Sequence, residues 1–165
     1  MADDDLLRVF RALEESGARY LVVGGVAVVL HGYPRFTADL DLVIALEPAN
    51  TQHVIEALQQ LGFRPRAPVP LAAFADPDQR KSWIEDKELI VLSLWSPQMP
   101  LTEIDLFVRE PFPFDETFAR ASRIDLGEVS VSVASIDDLI ELKRAAGRPK
   151  DLEDIRALES LRDNQ

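Results

Sequence analysis

The chain has 165 residues, 47% of them apolar, and a net charge of −11. That length suits one ordinary domain spanning residues 1–165, with enough apolar residues for a real core. The lack of cysteine excludes a disulfide framework, a thiolate metal site and a cysteine nucleophile, and the acidic balance argues against broad wrapping of a nucleic acid, although "FRPR", "QRK" and "LKRAAGRPK" leave room for a local basic face.

The opening "MADDDLLRVF" is acidic and then amphipathic, unlike a signal peptide. No apolar run approaches the roughly 20 residues that a membrane span needs. The expectation is a cytoplasmic protein with no membrane contact. Asp3 to Asp5 can cap a helix whose apolar positions Leu6, Leu7, Val9, Phe10 and Leu13 follow helical spacing, with a stop at Gly17. "RYLVVGG" reads as a short buried strand ending in a turn, and "VAVVLHG" as a short buried helix. "RFTADLDLVIAL" alternates as a strand does. "PANTQHVIEALQQLGF" has Pro48 near the start of a helix and Gly62 after its end. "RPRAPVP" is a connection, and "SWIEDKELIVLSLW" passes from a helical or turn segment into a strand. After the tight link "SPQMP", "LTEIDLFV" and "EVSVSVA" read as further strands. "SIDDLIELKRAAG" opens with a capping pattern, Ser135 followed by Asp138 three residues on. "RPKDLEDIRALESL" is a final helix after Pro149. Interleaved strands and helices predict an α/β or α+β fold, a mixed sheet flanked by helices.

Chemistry enters with the acids. Successive side chains on a strand face opposite ways, so Thr37, Asp39 and Asp41 share one face while Leu40, Leu42 and Ile44 can enter the core. On "LTEIDLFV", Glu103 and Asp105 share a face opposite Ile104, Leu106 and Val108. If the two strands are neighbours, Asp39, Asp41 and Asp105 converge. Clustered carboxylates raise one another's pKa unless a cation intervenes. Oxygen ligands at that density suit Mg²⁺ or Mn²⁺, and such a site serves in-line displacement at phosphorus. In isolation "DLD" is more often one solvated face of an amphipathic sheet. The glycines shift that balance. Gly24 and Gly25 follow a strand and precede a helix, where backbone amides point outward and attract anions.

In chain order, strand, Gly-Gly, short helix, Arg35, Thr37, Asp-Leu-Asp and a distant third aspartate in "EIDLF" resemble the nucleotidyltransferase superfamily named for DNA polymerase β. The closer resemblance is to the small bacterial branch that contains the AbiEii-type toxins, in which "GG.A...HG..R.T.DLDL" is followed by "DLI.LK...GR.KD..D". Here "DLIELKRAAGRPKDLEDI" fits that ending. The resemblance covers residues from about 20 to 158, with the middle poorly matched. It implies a minimal nucleotidyltransferase fold and transfer of a nucleoside monophosphate from an NTP to an acceptor hydroxyl. It implies metal binding by Asp39, Asp41 and Asp105, with Asp105 also helping to activate the acceptor. It assigns Gly24, Gly25, Arg35, Thr37, Lys143 and Arg148 to the nucleotide. The acceptor could be a tRNA or other RNA end, a protein hydroxyl or a small molecule such as an aminoglycoside. The same branch implies a toxin–antitoxin setting and a protein partner that supplies substrate contacts. The rival reading is a binding subunit or antitoxin-like partner without turnover.

Each residue also has a plainer use. Arg35 can simply pair with nearby acids, and His31 is expected to be structural. Lys143 can be a solvated lysine at a helix C-terminus, favoured by the dipole. Asp151 is expected at a helix N-terminus, or ordering Lys143 or a basic neighbour. Trp83 can stack on a base, though packing is the commoner use.

Overall fold

The structure is a computed structural model that describes residues 3–165. The first helix, α1 (Asp3–Glu15), carries Asp3, Asp4 and Asp5 in its first turn, where carboxylates complement the helix dipole. It buries Val9, Phe10 and Leu13. Strand β1 (Tyr20–Val23) is buried along its whole length, as a strand covered on both faces must be. Helix α2 (Gly24–Leu30) follows with no intervening loop and buries Val26, Ala27 and Val28. Strand β2 (Asp39–Ile44) begins later than the alternation predicts, so Arg35, Phe36, Thr37 and Ala38 form an irregular lead-in.

Helix α3 (Pro48–Gln60) starts with proline at its first position, where no backbone N–H is required. A two-residue strand, β3 (Arg64–Pro65), and a short 3-10 turn (Leu71–Ala75) precede α4 (Pro77–Lys87). The hairpin of β4 (Val91–Ser96) and β5 (Met99–Phe107) comes next, then α5 (Phe114–Ala119), β6 (Ser122–Asp125) and β7 (Ser130–Val133). Helix α6 (Ile136–Ala146) is capped by Ser135, whose Oγ accepts from the Asp138 backbone N–H. It ends at Gly147 in a left-handed conformation. A 3-10 turn (Pro149–Asp151) leads into α7 (Leu152–Asp163).

The seven strands form one mixed sheet in the order β3-β4-β5-β2-β1-β7-β6. The pairs β2–β5 and β1–β7 are parallel and the others antiparallel. Leu40, Leu42, Ile104 and Leu106 are fully buried and hold the two central strands in the core. Val43 is buried too, so the acidic face of β2 is polar only at its N-terminal end. Helices α6 and α7 pack on each other, and α7 also touches α2. Among the described residues no helix is long and apolar enough to cross a membrane.

Several elements lie outside the sequence expectations: β3, which falls in the stretch read as a connection, the 3-10 turn Leu71–Ala75, the main part of α4, α5 and β6. Helix α4, "PDQRKSWIEDK", has no apolar stripe. It is anchored instead by Asp76 accepting from the Asp78 N–H, and by buried Arg80, whose guanidinium donates to the Phe74 carbonyl. Trp83 is buried against Phe74, ring centroids 6.5 Å apart, which makes it a packing residue and removes it from base stacking. His31 Nε2 lies 2.8 Å from the Ala134 carbonyl, a structural tie as expected.

Candidate functional site

The parallel pairing of β2 with β5 sets Asp39 beside Glu103 and Asp41 beside Asp105. This is the adjacency the paired acidic strands require. A cavity of about 460 Å³ opens over them. The nine residues that the resemblance assigns to metal or nucleotide all line it: Gly24, Gly25, Arg35, Thr37, Asp39, Asp41, Asp105, Lys143 and Arg148. Glu103 does not line it, because its Oε1 accepts from Arg66 Nε at 2.7 Å.

The glycine turn and the aspartates are packed against each other. Gly24 has φ of +69°, a backbone shape that side chains resist, and a Cβ there would overlap Asp41 Oδ2 and lie 2.9 Å from its Cγ. A Cβ on Gly25 would lie 2.7 Å from Thr37 Oγ1 and 3.3 Å from Arg35 Nη1. The two glycines therefore open the cavity floor where α2 begins, with Thr37 and Arg35 directly above.

The acids are left without counter-charges. Among the described residues, none of Asp39, Asp41 and Asp105 forms an ion pair. Burial raises the pKa of Asp41 to about 7, with the charges of Asp105 and Asp39 adding to the effect. Burial also raises Asp105, against a 2.7 Å hydrogen bond donated by Ser93 Oγ, while the Glu103 charge pushes it up. Asp39 is raised by burial and then by the charges of Asp105 and Glu103. Asp41 and Asp105 face each other across the paired strands, so the two carboxyls titrate as a coupled pair, with Asp41 pushed up the further by its deeper burial. No three Asp, Glu or His side chains among the described residues close into a ready-made metal cluster. The donor chemistry nevertheless fits a hard divalent cation, since the facing carboxylates are all oxygen donors whose raised pKa values show mutual repulsion that a cation would relieve.

The cations of the basic wall opposite are each paired within the chain. Lys143 is only 7% exposed, which rules out the solvated lysine at a helix end. Its Nζ donates to Asp154 Oδ2 at 2.9 Å and lies 3.6 Å from Asp151 Oδ1. Arg35 donates to the same Asp154 oxygen. Arg148 donates to Asp151 through Nε at 2.7 Å and Nη2 at 3.1 Å. Burial acts to raise Asp151, but the Arg148 hydrogen bond and the Lys143 charge outweigh it and hold the carboxyl low. Asp151 thus orders both Lys143 and Arg148, and Arg35 pairs not with the nearby acids of β2 but with Asp154, far along the chain. Four further lining residues have no site role in the sequence reading: Phe36, Ala38, Lys150 and Asp154. Asp154 is the last position of "GR.KD..D", and three-residue spacing from Asp151 was the available signal.

The chain belongs to a nucleotidyltransferase family, described as "Nucleotidyltransferase of unknown function (DUF6036)", whose model matches residues 3–163. No curated protein matches it in sequence. Solved structures share the fold at low identity. The lincosamide antibiotic adenylyltransferase LnuA, in its lincomycin-bound form, aligns over 98% of both chains with a TM-score of 0.66 at 16% identity. ANT(2")-Ia in complex with adenylyl-2"-tobramycin aligns over 96% of this chain and 93% of its own, with a TM-score of 0.58 at 16% identity. An antigenic nucleotidyltransferase-like protein from Paracoccidioides brasiliensis covers 98% of this chain and 77% of its own, with a TM-score of 0.57 at 19% identity. The fold is thus the nucleotidyltransferase fold that the paired motifs imply.

Proposed function

We propose that the chain is an enzyme that transfers a nucleoside monophosphate from an NTP to the hydroxyl of a small acceptor, releasing pyrophosphate. The observation that carries this reading is the placement of Asp41 beside Asp105, directly against the Gly24–Gly25 turn, in one cavity with Lys143 and Arg148. The glycine turn would take the triphosphate on the backbone N–H groups that open α2, since no Cβ stands in the way. Arg35, Lys143 and Arg148 would face the phosphate oxygens, and Thr37 would orient them. Asp105, held by Ser93, would accept the proton of the acceptor hydroxyl. A divalent cation such as Mg²⁺ or Mn²⁺, held by Asp39, Asp41 and Asp105, would neutralise the triphosphate and make the acceptor hydroxyl easier to deprotonate.

A small acceptor is preferred over an RNA end or a protein hydroxyl for two reasons. The net charge of −11 disfavours a polyanion. The structural neighbours with the same compact span were solved with lincomycin or adenylyl-tobramycin bound. The rival, a binding subunit without turnover, leaves the uncompensated acids without a purpose, because clustered like charges only destabilise a fold. The test is incubation with each α-³²P-labelled NTP and Mg²⁺ or Mn²⁺, in separate arms with tobramycin, lincomycin, bulk tRNA and bulk protein. Label transfer to a small molecule, lost in Asp105→Asn, is the expected result. Transfer only to RNA or protein would move the acceptor to that class, and no transfer or pyrophosphate release in any arm would favour the binding subunit.

A further inference from the structure

Asp154 performs a task that neither the carboxylate pair nor the glycine turn explains. Its side chain is 7% exposed, and a single oxygen, Oδ2, accepts from both Lys143 Nζ and Arg35 Nη1. These two cations come from distant parts of the chain: Lys143 from α6, Arg35 from the lead-in to β2, beside the Gly25 turn. Drawn to one point without an anion between them, they would repel. Stability alone is a poor reason for such a cluster, since buried ion pairs gain little over well-packed apolar residues. Its location is informative: Asp154, Lys143 and Arg35 all line the cavity that holds Asp41. The charge balance is informative too. Lys143, Arg35 and Arg148 bring three positive charges, and Asp151 and Asp154 bring two negative ones. The cluster keeps a net positive charge facing the cavity, yet each cation is already oriented before an anion arrives.

We infer that Asp154 is a positioning residue for the triphosphate, fixing Lys143 and Arg35 together so that both address the same phosphate group above the Gly24–Gly25 turn. The inference rests on the proposed nucleotidyltransferase reading. Pre-orientation lowers the ordering cost of binding, so its loss falls on phosphate recognition and leaves recognition of the nucleoside alone. Removing the carboxylate charge leaves Lys143 free to turn toward Asp151, 3.6 Å away, and Arg35 free to leave the turn.

The experiment is calorimetric titration with Mg²⁺ and α,β-methylene-ATP, which cannot transfer its α-phosphoryl group, and in parallel with adenosine. The chains are the wild type, Asp154→Asn, Arg35→Gln and the double variant. Asp154→Asn is expected to weaken α,β-methylene-ATP at least tenfold with adenosine affinity unchanged. The double variant is expected to be little worse than either single one, because both changes break the same link. Arg35 is partly exposed and lies outside helix and strand, so Arg35→Gln keeps the test alive if Asp154→Asn does not fold. Analogue affinity equal to wild type in both single variants overturns the inference and leaves the enzyme reading standing. So do losses that add fully in the double variant. A wild type that binds no nucleotide overturns both.

Discussion

The two walls of the cavity handle charge in opposite ways. On the strand wall, Asp39, Asp41 and Asp105 stand together with no cation paired to them, and all three are pushed above the ordinary carboxylate range. On the helix wall, Lys143 and Arg148 are each bonded to Asp151 or Asp154, and Arg35 reaches across from the lead-in to β2 to Asp154. The cations of the basic wall are paired within the chain, whereas among the described residues the acidic wall has no ion-pair partner. A purely structural polar cluster would be finished on both sides, because a buried group without its partner is costly. The asymmetry is what a site for a metal–triphosphate complex requires: fixed positive charge for the phosphates on one side, open negative charge for the metal on the other.

Removing a charge should therefore act oppositely on the two walls. The largest effect is expected for Lys143→Ala. It strips a shared cation from Asp151 and Asp154, both buried. Breaking a buried pair costs about 3 kcal/mol or more, which in a chain of this size lowers the melting temperature by roughly 6–12 °C. A solvated lysine at a helix end would have cost a few tenths of a kcal/mol. A melting curve of the variant without ligand separates the two outcomes, and a shift of under about 2 °C would mean that the pairing contributes nothing.

A smaller effect of opposite sign is expected on the strand wall. Asp41 holds its proton up to about pH 7 in the folded chain, against an ordinary value of 3.8. The folded state thus binds that proton more tightly than the unfolded state. The resulting stability is complete below about pH 4 and is lost as pH rises through about 7. Asp39 and Asp105 are raised as well and act in the same direction. Glu14, Asp138 and Asp151, held low by arginine partners, act oppositely, and their contribution is lost only as pH falls below about 4. In chelator, the wild-type melting temperature is expected to fall from pH 5.5 to pH 8. Asp41→Asn should flatten that slope and melt no lower than the wild type at pH 8. A wild-type profile that rises over this window would place the proton elsewhere.

The strand wall and the glycine turn were largely legible in the sequence. Alternation put Asp39 and Asp41 on one face, and the leucines between them had to go inward. What period-2 patterning could not supply was register, and Asp41 meets Asp105 across 64 positions only through the parallel pairing of β2 and β5. The helix wall was legible as a motif but not as a network. Lys143 looked equally suited to solvent because nothing local shows that α7 folds back to bring Asp154 within 2.9 Å. Helix α4 was harder still, since its buried residues, Arg80 and Trp83, are not an apolar stripe. Strand β6, "SRID", is a four-residue edge strand held by pairing with β7 and has no pattern of its own.

The central claim is that the acidic wall binds a divalent cation together with a nucleotide. It is tested most directly by melting the wild type, Asp39→Asn and Asp41→Asn at pH 7.5 with Mn²⁺ alone, α,β-methylene-ATP alone, and both. The account predicts that the wild type gains most with both, approaching about 2.7 kcal/mol when ligand stands a hundredfold above its Kd. Both variants should fold and lose that joint gain. An equal gain in wild type and variants, or no gain in the wild type under any combination, would contradict it.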